Sequence, residues 1–336
     1  MTINQPCRRG SGFAGCAVRT LGTLAIAAVL GACQPSDAQQ DGGGIGDVEI
    51  GVLHVQGNVY ALFGPESNST VQAGDEGILV VDTMSAGLSD KMIAAIRGIS
   101  RQPIRYIVNT HHHPQHTGGN ANISKAGLRV SNYDVGARSE ASGQPAAIIA
   151  HENVTMTMAQ GDSDPEGWPF STYPFQSRDM YLNGEAVFIL HQPNAHTNGD
   201  SIVHFRASDV ISTGDIFSTV SYPFVDVENG GTIRGIIDAL NRIIDIAVPA
   251  HLQEGGTMII PGRGRLADEA DVVEYRDMLT LIVSFIQAMI DEGRSLDEVL
   301  QAQPTVGWDG RYGSDSGDWT TQQFVETVYH ELAGND

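Results

Sequence analysis

Basic residues and cysteines are scarce in this chain of 336 residues. Nineteen Lys and Arg stand against 40 Asp and Glu, a formal net charge of −21. That sign disfavours nucleic acid, whose backbone is bound by a basic face that releases counterions, and disfavours docking onto anionic lipid headgroups. The three cysteines, Cys7, Cys16 and Cys33, all fall in the first tenth of the chain and cannot form a disulfide framework. The apolar run 21–30 is too short to span a membrane as a stable helix. What remains is ordinary globular composition, 41% hydrophobic with 39 glycines, long enough for one large domain or two modest ones.

The cysteine-bearing segment reads as an address. Arg8, Arg9 and Arg19 precede the apolar run, which ends in small residues, as in a secretory signal. Leu30-Gly31-Ala32-Cys33 resembles the lipobox of bacterial lipoproteins. The resemblance implies cleavage after residue 32, lipidation of Cys33, and a periplasm-facing protein. Gln34 after the cysteine is compatible with outer-membrane sorting. The alternative is an ordinary signal peptide with an incidental cysteine. Removing residues 1–32 takes away three arginines and no acid, leaving 16 basic and 40 acidic residues, or −24. The polar, Gly-rich stretch 33–46 reads as a flexible tether, and 47–336 as a single folded domain.

From Val48 the pattern becomes short β runs (VEIGVLHV, NVYALF, STVQAG, GILVVD) broken by Gly and Asp turns. A helix is expected at 88–99, capped by Ser89, followed by a buried strand at 103–108. Further strands are expected at 145–150, 154–158, 186–191, 201–206 and 209–213, with a short one at 259–260. Helices are expected at 232–246, 269–291, 295–302 and 320–333. The loop-rich stretch 160–180 divides two strand-rich halves. No internal repeat stands out.

Four histidines fall within six residues: His111, His112, His113 and His116. Imidazole is the commonest ligand of borderline metals, and a run of histidines after a buried strand sets several nitrogens around one cavity. In extended backbone His111 and His113 share a side and His112 points away. The reversal toward Gly118-Gly119 returns His116 to the same cavity.

The run 110–120, THHHPQHTGGN, resembles the metal-binding loop of the metallo-β-lactamase superfamily, written HxHxDH with a following Gly pair. Four more segments resemble its motifs in order: GILVVD at 77–82, AHTNGD at 195–200, STGDIF at 212–217 and IIPGRG at 259–264. The resemblance implies an α/β fold of the αββα four-layer type, with extra C-terminal helices from about residue 268 and the metal at one edge between two sheets. It implies His111, His113 and His196 as a complete first site, with an open position for water as catalytic zinc requires. Asp215 and His116 are further candidate ligands, and Asp82 supports the loop from behind.

Two departures stand out. The family's aspartate is here Gln115 and the histidine of its PGHG motif is Arg263. A neutral amide is a poor ligand, and a guanidinium cannot ligate at all. The expectation is one Zn²⁺ per chain, two remaining open, with Arg263 in place of the second cation, drawn to Asp215 and able to hold a substrate carboxylate or a developing oxyanion. Asp215, His116 and Arg263 are thus the expected catalytic residues.

Other candidates are set aside. His151 reads as structural, His54, His191 and His204 as core or rim imidazoles, and His251 lacks a partner. Trp168, Tyr173 and Tyr222 read as loop aromatics at the cleft rim or in surface packing. Leu279, Ile282, Phe285, Ile286 and Met289 read as helical core. The functional expectation is a zinc-dependent hydrolase that opens a lactam, lactone or ester of a small-molecule substrate. It would meet the membrane through its lipid alone and would not engage nucleic acid. The alternative is a metal- or anion-binding lipoprotein that kept the fold and lost hydrolysis. Substrate identity and oligomeric state stay open at this level.

Overall fold

The computed structural model describes residues 48–129 and 143–334. The expected signal segment 1–32, Cys33 and the tether to residue 46 lie outside the described residues.

Two sheets are stacked between helices. The first runs in chain order, β1 (Gly51–Gln56), β2 (Val59–Phe63), β3 (Asn68–Gly74), β4 (Gly77–Val81), β5 (Ile104–Val108), β6 (Ala147–His151) and β7 (Ser171–Tyr173). Pairing is antiparallel from β1 to β4 and parallel from β4 to β7. The second comprises β8 (Ser177–Leu182), β9 (Glu185–His191), β10 (Ser201–Phe205), β11 (Val210–Ser212), β12 (Met258–Ile260) and β13 (Ala267–Asp268), ordered β13-β12-β11-β10-β9-β8. Here only β11 and β12 run parallel.

The period-2 geometry of strands assigns each side chain to a layer. In β4, Leu79 and Val81 point between the sheets, where they meet Val187, Val203 and Phe205. Ile78 and Val80 point outward, against Met92 and Ile96 of helix α1 (Ser89–Ile99). In the second sheet, Val203 and Ile260 point inward, while Ile202, Ile211 and Ile259 pack outward under helices α5 (Ile233–Ile246), α6 (Glu269–Asp291) and α9 (Thr321–Ala333). Buried on both faces, β4, β6 and β10 need continuous apolar runs, which is why their segments do not alternate with polar residues. The result is four layers, αββα. In α5, Ile236, Leu240 and Ile243 recur at helical spacing on the buried face, and the Thr232 side chain accepts from Gly235 N to cap it.

Four expectations are corrected. Segment 154–158 is not a strand but part of helix α4 (Glu152–Gln160): its Val154 and Met158, four apart, pack on Ala150 and Trp168. Ser89 opens α1 without capping it, because its hydroxyl donates instead to Ala86 O. The stretch 160–180 does divide the halves, since the first sheet ends in it at β7 and β8 of the second begins in it, but it is not loop throughout, and Tyr173 is a buried strand residue. Phe285 is half exposed, whereas Leu279, Ile282 and Ile286 are core.

Candidate metal centre and its cleft

The site lies where strands end. β4 runs into Asp82, β5 into the histidine loop, β11 into Asp215, and β12 into Arg263, while His196 sits in the turn from β9 to β10. Helix α2 (Pro114–Thr117) follows the loop and carries Gln115 and His116. Strand ends in parallel order make this edge a natural ligand crevice. The backbone is tight here: Gly214 takes φ +54°, and a Cβ on Gly262 would stand 2.2 Å from Asp215 Oδ1.

Each imidazole is held from behind. Asp82, itself at φ +60°, accepts from Thr110 N at 2.8 Å and Thr110 Oγ1 at 2.7 Å. That hydroxyl has spent its only proton, so it accepts from His111 Nδ1 at 3.0 Å, and His111 presents Nε2 as a lone pair. His196 Nδ1 donates to Asp200 Oδ1 at 3.2 Å, and Asp200 also takes Thr197 N. His113 Nε2 donates to Asp226 Oδ2 at 3.0 Å, leaving Nδ1 for the cavity. His116 Nδ1 donates to Asp82 Oδ2 at 2.8 Å. Carboxylates behind ligating imidazoles fix their tautomer and orientation.

The faces left over converge. His111, His113, His196 and Asp215 each bring one ligand atom within 4.8 Å of the others. Among the described residues, His111 Nε2, His116 Nε2, His196 Nε2 and Asp215 Oδ1 are buried without a hydrogen-bond partner. A buried polar atom left unpaired costs about 1–3 kcal/mol, so His111 Nε2 and His196 Nε2, with His113 beside them, fit a divalent cation at this point. Burial, then the neighbouring His116, His196 and His113, holds His111 well below the usual imidazole range, so it is neutral and able to ligate.

His116 and Arg263 differ from the rest. His116 Nε2 lies 3.1 Å from Asp215 Oδ1. Burial works against charge on this imidazole, but Asp215 and Asp82 on either side push its pKa up to about 10. Burial likewise opposes charge on Asp215, yet His116 and Arg263 hold it well below the carboxylate range. Arg263 Nη2 donates to Asp215 Oδ2 at 3.3 Å. His112 points away from His111 and, with Pro114, lines a separate cavity of about 740 Å³. His112 and His113 both approach Asp226, at 3.6 and 3.0 Å, but His113 already uses its facing nitrogen on that carboxylate.

A cavity of about 520 Å³ opens over the site, lined by His113, Gln115, Asp215, Phe224, Arg263 and Trp319, among others. Asp226, Asp200, Phe224 and Trp319 complete the site without being ligand positions of the sequence motifs. Asp200 sat in a quoted motif at i+4 from His196; the others are far from the histidines in sequence and carried no local signal. His151 caps α4 and stacks on His191 with ring centroids 3.6 Å apart. Tyr222 is buried and lines the cleft, and Trp168 is half-buried beside α4.

The sequence profile of the Metallo-beta-lactamase superfamily matches residues 63–279. The chain belongs to that superfamily. A metallo-beta-lactamase from Pontibacter korlensis superposes with a TM-score of 0.53 at 13% identity, covering 69% of this chain and 99% of that one. The sec-alkylsulfatase Pisa1 from Pseudomonas sp. superposes at 0.58 and 14% identity, over 84% of this chain and 50% of that one. At such identities the likeness is one of fold. A curated relative, the 2,4-dinitroanisole O-demethylase subunit alpha of Nocardioides sp. (strain JS1661), is 22% identical over 174 residues, 49% of this chain. The match spans about half (48%) of that relative's length. The superfamily's profile ends at residue 279, so Trp319 and the helices after α6 lie beyond it.

Proposed function

We propose that this superfamily member is a metal-dependent hydrolase that opens a lactam, lactone or ester at a mononuclear three-histidine centre. The observation that carries the reading is the convergence of His111, His113, His196 and Asp215, with unpartnered buried ligand atoms, at the floor of a 520 Å³ cleft. Three imidazole nitrogens suit zinc, which when bound would supply Lewis acidity and an activated water in the position they leave open.

The chain's own residues do the rest. Thr110, Asp200 and Asp226 hold the three imidazoles with a lone pair facing the cleft. Arg263 offers its remaining guanidinium donors to a substrate carboxylate or to the oxyanion that develops on the attacked group. His116 keeps a proton on Nε2 beside Asp215, placing positive charge where a second cation would otherwise sit. Gln115, an amide, adds no charge there. In this reading Cys33 carries a lipid, and the domain faces the periplasm from the outer membrane.

The Arg263–Asp215 contact also favours a second reading, a lipoprotein that binds an anion without turning it over. A panel of lactams, lactones, esters, thioesters and sulfate esters separates the two. A methoxyarene joins the panel because of the curated relative's name. Chelator-sensitive turnover of any member supports the hydrolase; no turnover by zinc-loaded protein leaves the binding lipoprotein.

A further inference from the structure

The wall of the cleft facing the histidines is not built by the region the superfamily profile matches alone. Phe224 sets its ring centroid 5.7 Å from that of His113 and 5.9 Å from that of His196, yet is 38% exposed. Trp319 meets it edge-on at 4.8 Å, and the indole Nε1 donates to Pro223 O at 3.1 Å. The indole's polar atom is thus satisfied within the wall; the ring packs partly on the core beneath it and lines the cavity with the remainder.

The wall is tied down from the C-terminal side. Tyr222 stacks on Phe324 with centroids 4.7 Å apart and planes 2° from parallel. Its hydroxyl donates to Asp309 Oδ1 at 2.9 Å, and its backbone N–H to Tyr312 O at 3.0 Å. The loop carrying Phe224 is therefore clamped by residues beyond position 300. Opposite stands Arg263, 42% exposed, with one nitrogen on Asp215 and the other donors of its fork available to a ligand.

We propose that Phe224 and Trp319, set at right angles, form an apolar corner that seats a ring, and that the site takes substrates combining a planar, aromatic-type group with a carboxylate or similar oxyanion held by Arg263. Trp319, contributed from outside the superfamily core, determines that specificity. The inference deepens the hydrolase reading and rests on it for the word substrate, but the seat is a binding property and is tested as one.

Zinc-loaded full-length chain is titrated calorimetrically with phenylacetate and with acetate, which share the carboxylate and differ in the ring. Wild type binds phenylacetate about tenfold more tightly or better, as burial of one ring warrants. Trp319→Phe keeps most of that ratio, and Trp319→Ala brings it within about threefold of unity while zinc content stays the same. A ratio near one in wild type, or a ratio untouched by Trp319→Ala, overturns the proposal. Should Trp319→Ala fail to fold, transferred NOEs between phenylacetate ring protons and the Trp319 indole of the unmutated protein decide: their presence supports the seat, their absence overturns it. If no member of the panel turns over but the ratio persists, the enzyme reading fails and the seat stands.

Discussion

His116 Nε2 and Asp215 Oδ1 face each other 3.1 Å apart in a fully enclosed gap, and neither atom has any other partner. Two lone pairs cannot share that distance, so the gap holds either a proton on His116 or a cation bound by both. With Asp82 behind His116 and Arg263 on the far oxygen of Asp215, the proton is the better occupant.

The proton on His116 makes metal-free protein sensitive to alkali. The imidazole's folded pKa of about 10 lies above its unfolded value of 6.5. Its stabilisation is therefore complete below pH 6.5 and is lost as pH rises toward 10. His116→Gln leaves Asp215 short of its buried partner and lowers unfolding free energy by about 3 kcal/mol at pH 7. Urea titrations of apoprotein should show that deficit shrinking across pH 6.5–10; a constant deficit removes the proton from the account.

Acid acts through different histidines. Burial, reinforced by His191, lowers His151 to about 4, and burial, aided by Arg206, lowers His204 to about 4. Folded pKa values below the unfolded 6.5 mean that stability present above pH 6.5 is lost as pH falls toward 4. His151→Asn keeps an acceptor for the cap of α4 and removes one titrating group. Its unfolding free energy should fall less steeply between pH 6.5 and 4.5 than that of wild type, and an unchanged slope would contradict the assignment.

Asp226 is a positioning residue for His113. Replacing Asp226 by Asn keeps the shape but leaves one acceptor oxygen where His113 and Asn229 now share two, weakening the acceptor that orients the ligand. Loss of such a backing group typically costs 10–100-fold in metal affinity. Competition with a fluorescent chelator should show that loss, with the melting temperature of apoprotein little changed. Equal affinity in both proteins would show that His113 needs no support.

In the proposed reading, Arg263 and Gln115 stand where the superfamily motifs carry ligands of a second metal. The double variant Gln115→Asp, Arg263→His gives back the ligand types that the superfamily motifs carry, and should raise bound zinc from one to two per chain by elemental analysis. A variant that still binds one shows that the second position is closed by more than these two side chains.

Much of this was legible before the fold was known, for physical reasons. His111, His113 and His116 lie in one short loop, and β4 and β12, which feed the site, are apolar runs, as sheets covered on both faces require. What was not legible depends on tertiary contact. Segment 154–158 alternates Val, Thr and Met as a strand would, and only packing of Val154 and Met158 on one side of α4 makes it a helix. Asp226 meets His113 across 113 residues, and Trp319 reaches Phe224 from a segment whose local pattern carries no chemistry. The one-residue shift at the start of α1 came from Ser89 bonding within the preceding turn rather than forward into the helix.

Bound-metal stoichiometry of the unmodified chain, measured by mass spectrometry under non-denaturing conditions after zinc loading and desalting, tests the central claim most directly. The account predicts one zinc per chain, lost on His196→Ala and retained in Arg263→Ala. Two zincs in the unmodified chain would contradict the assignment of Arg263 and protonated His116 to the second position, and none would contradict the metal centre itself.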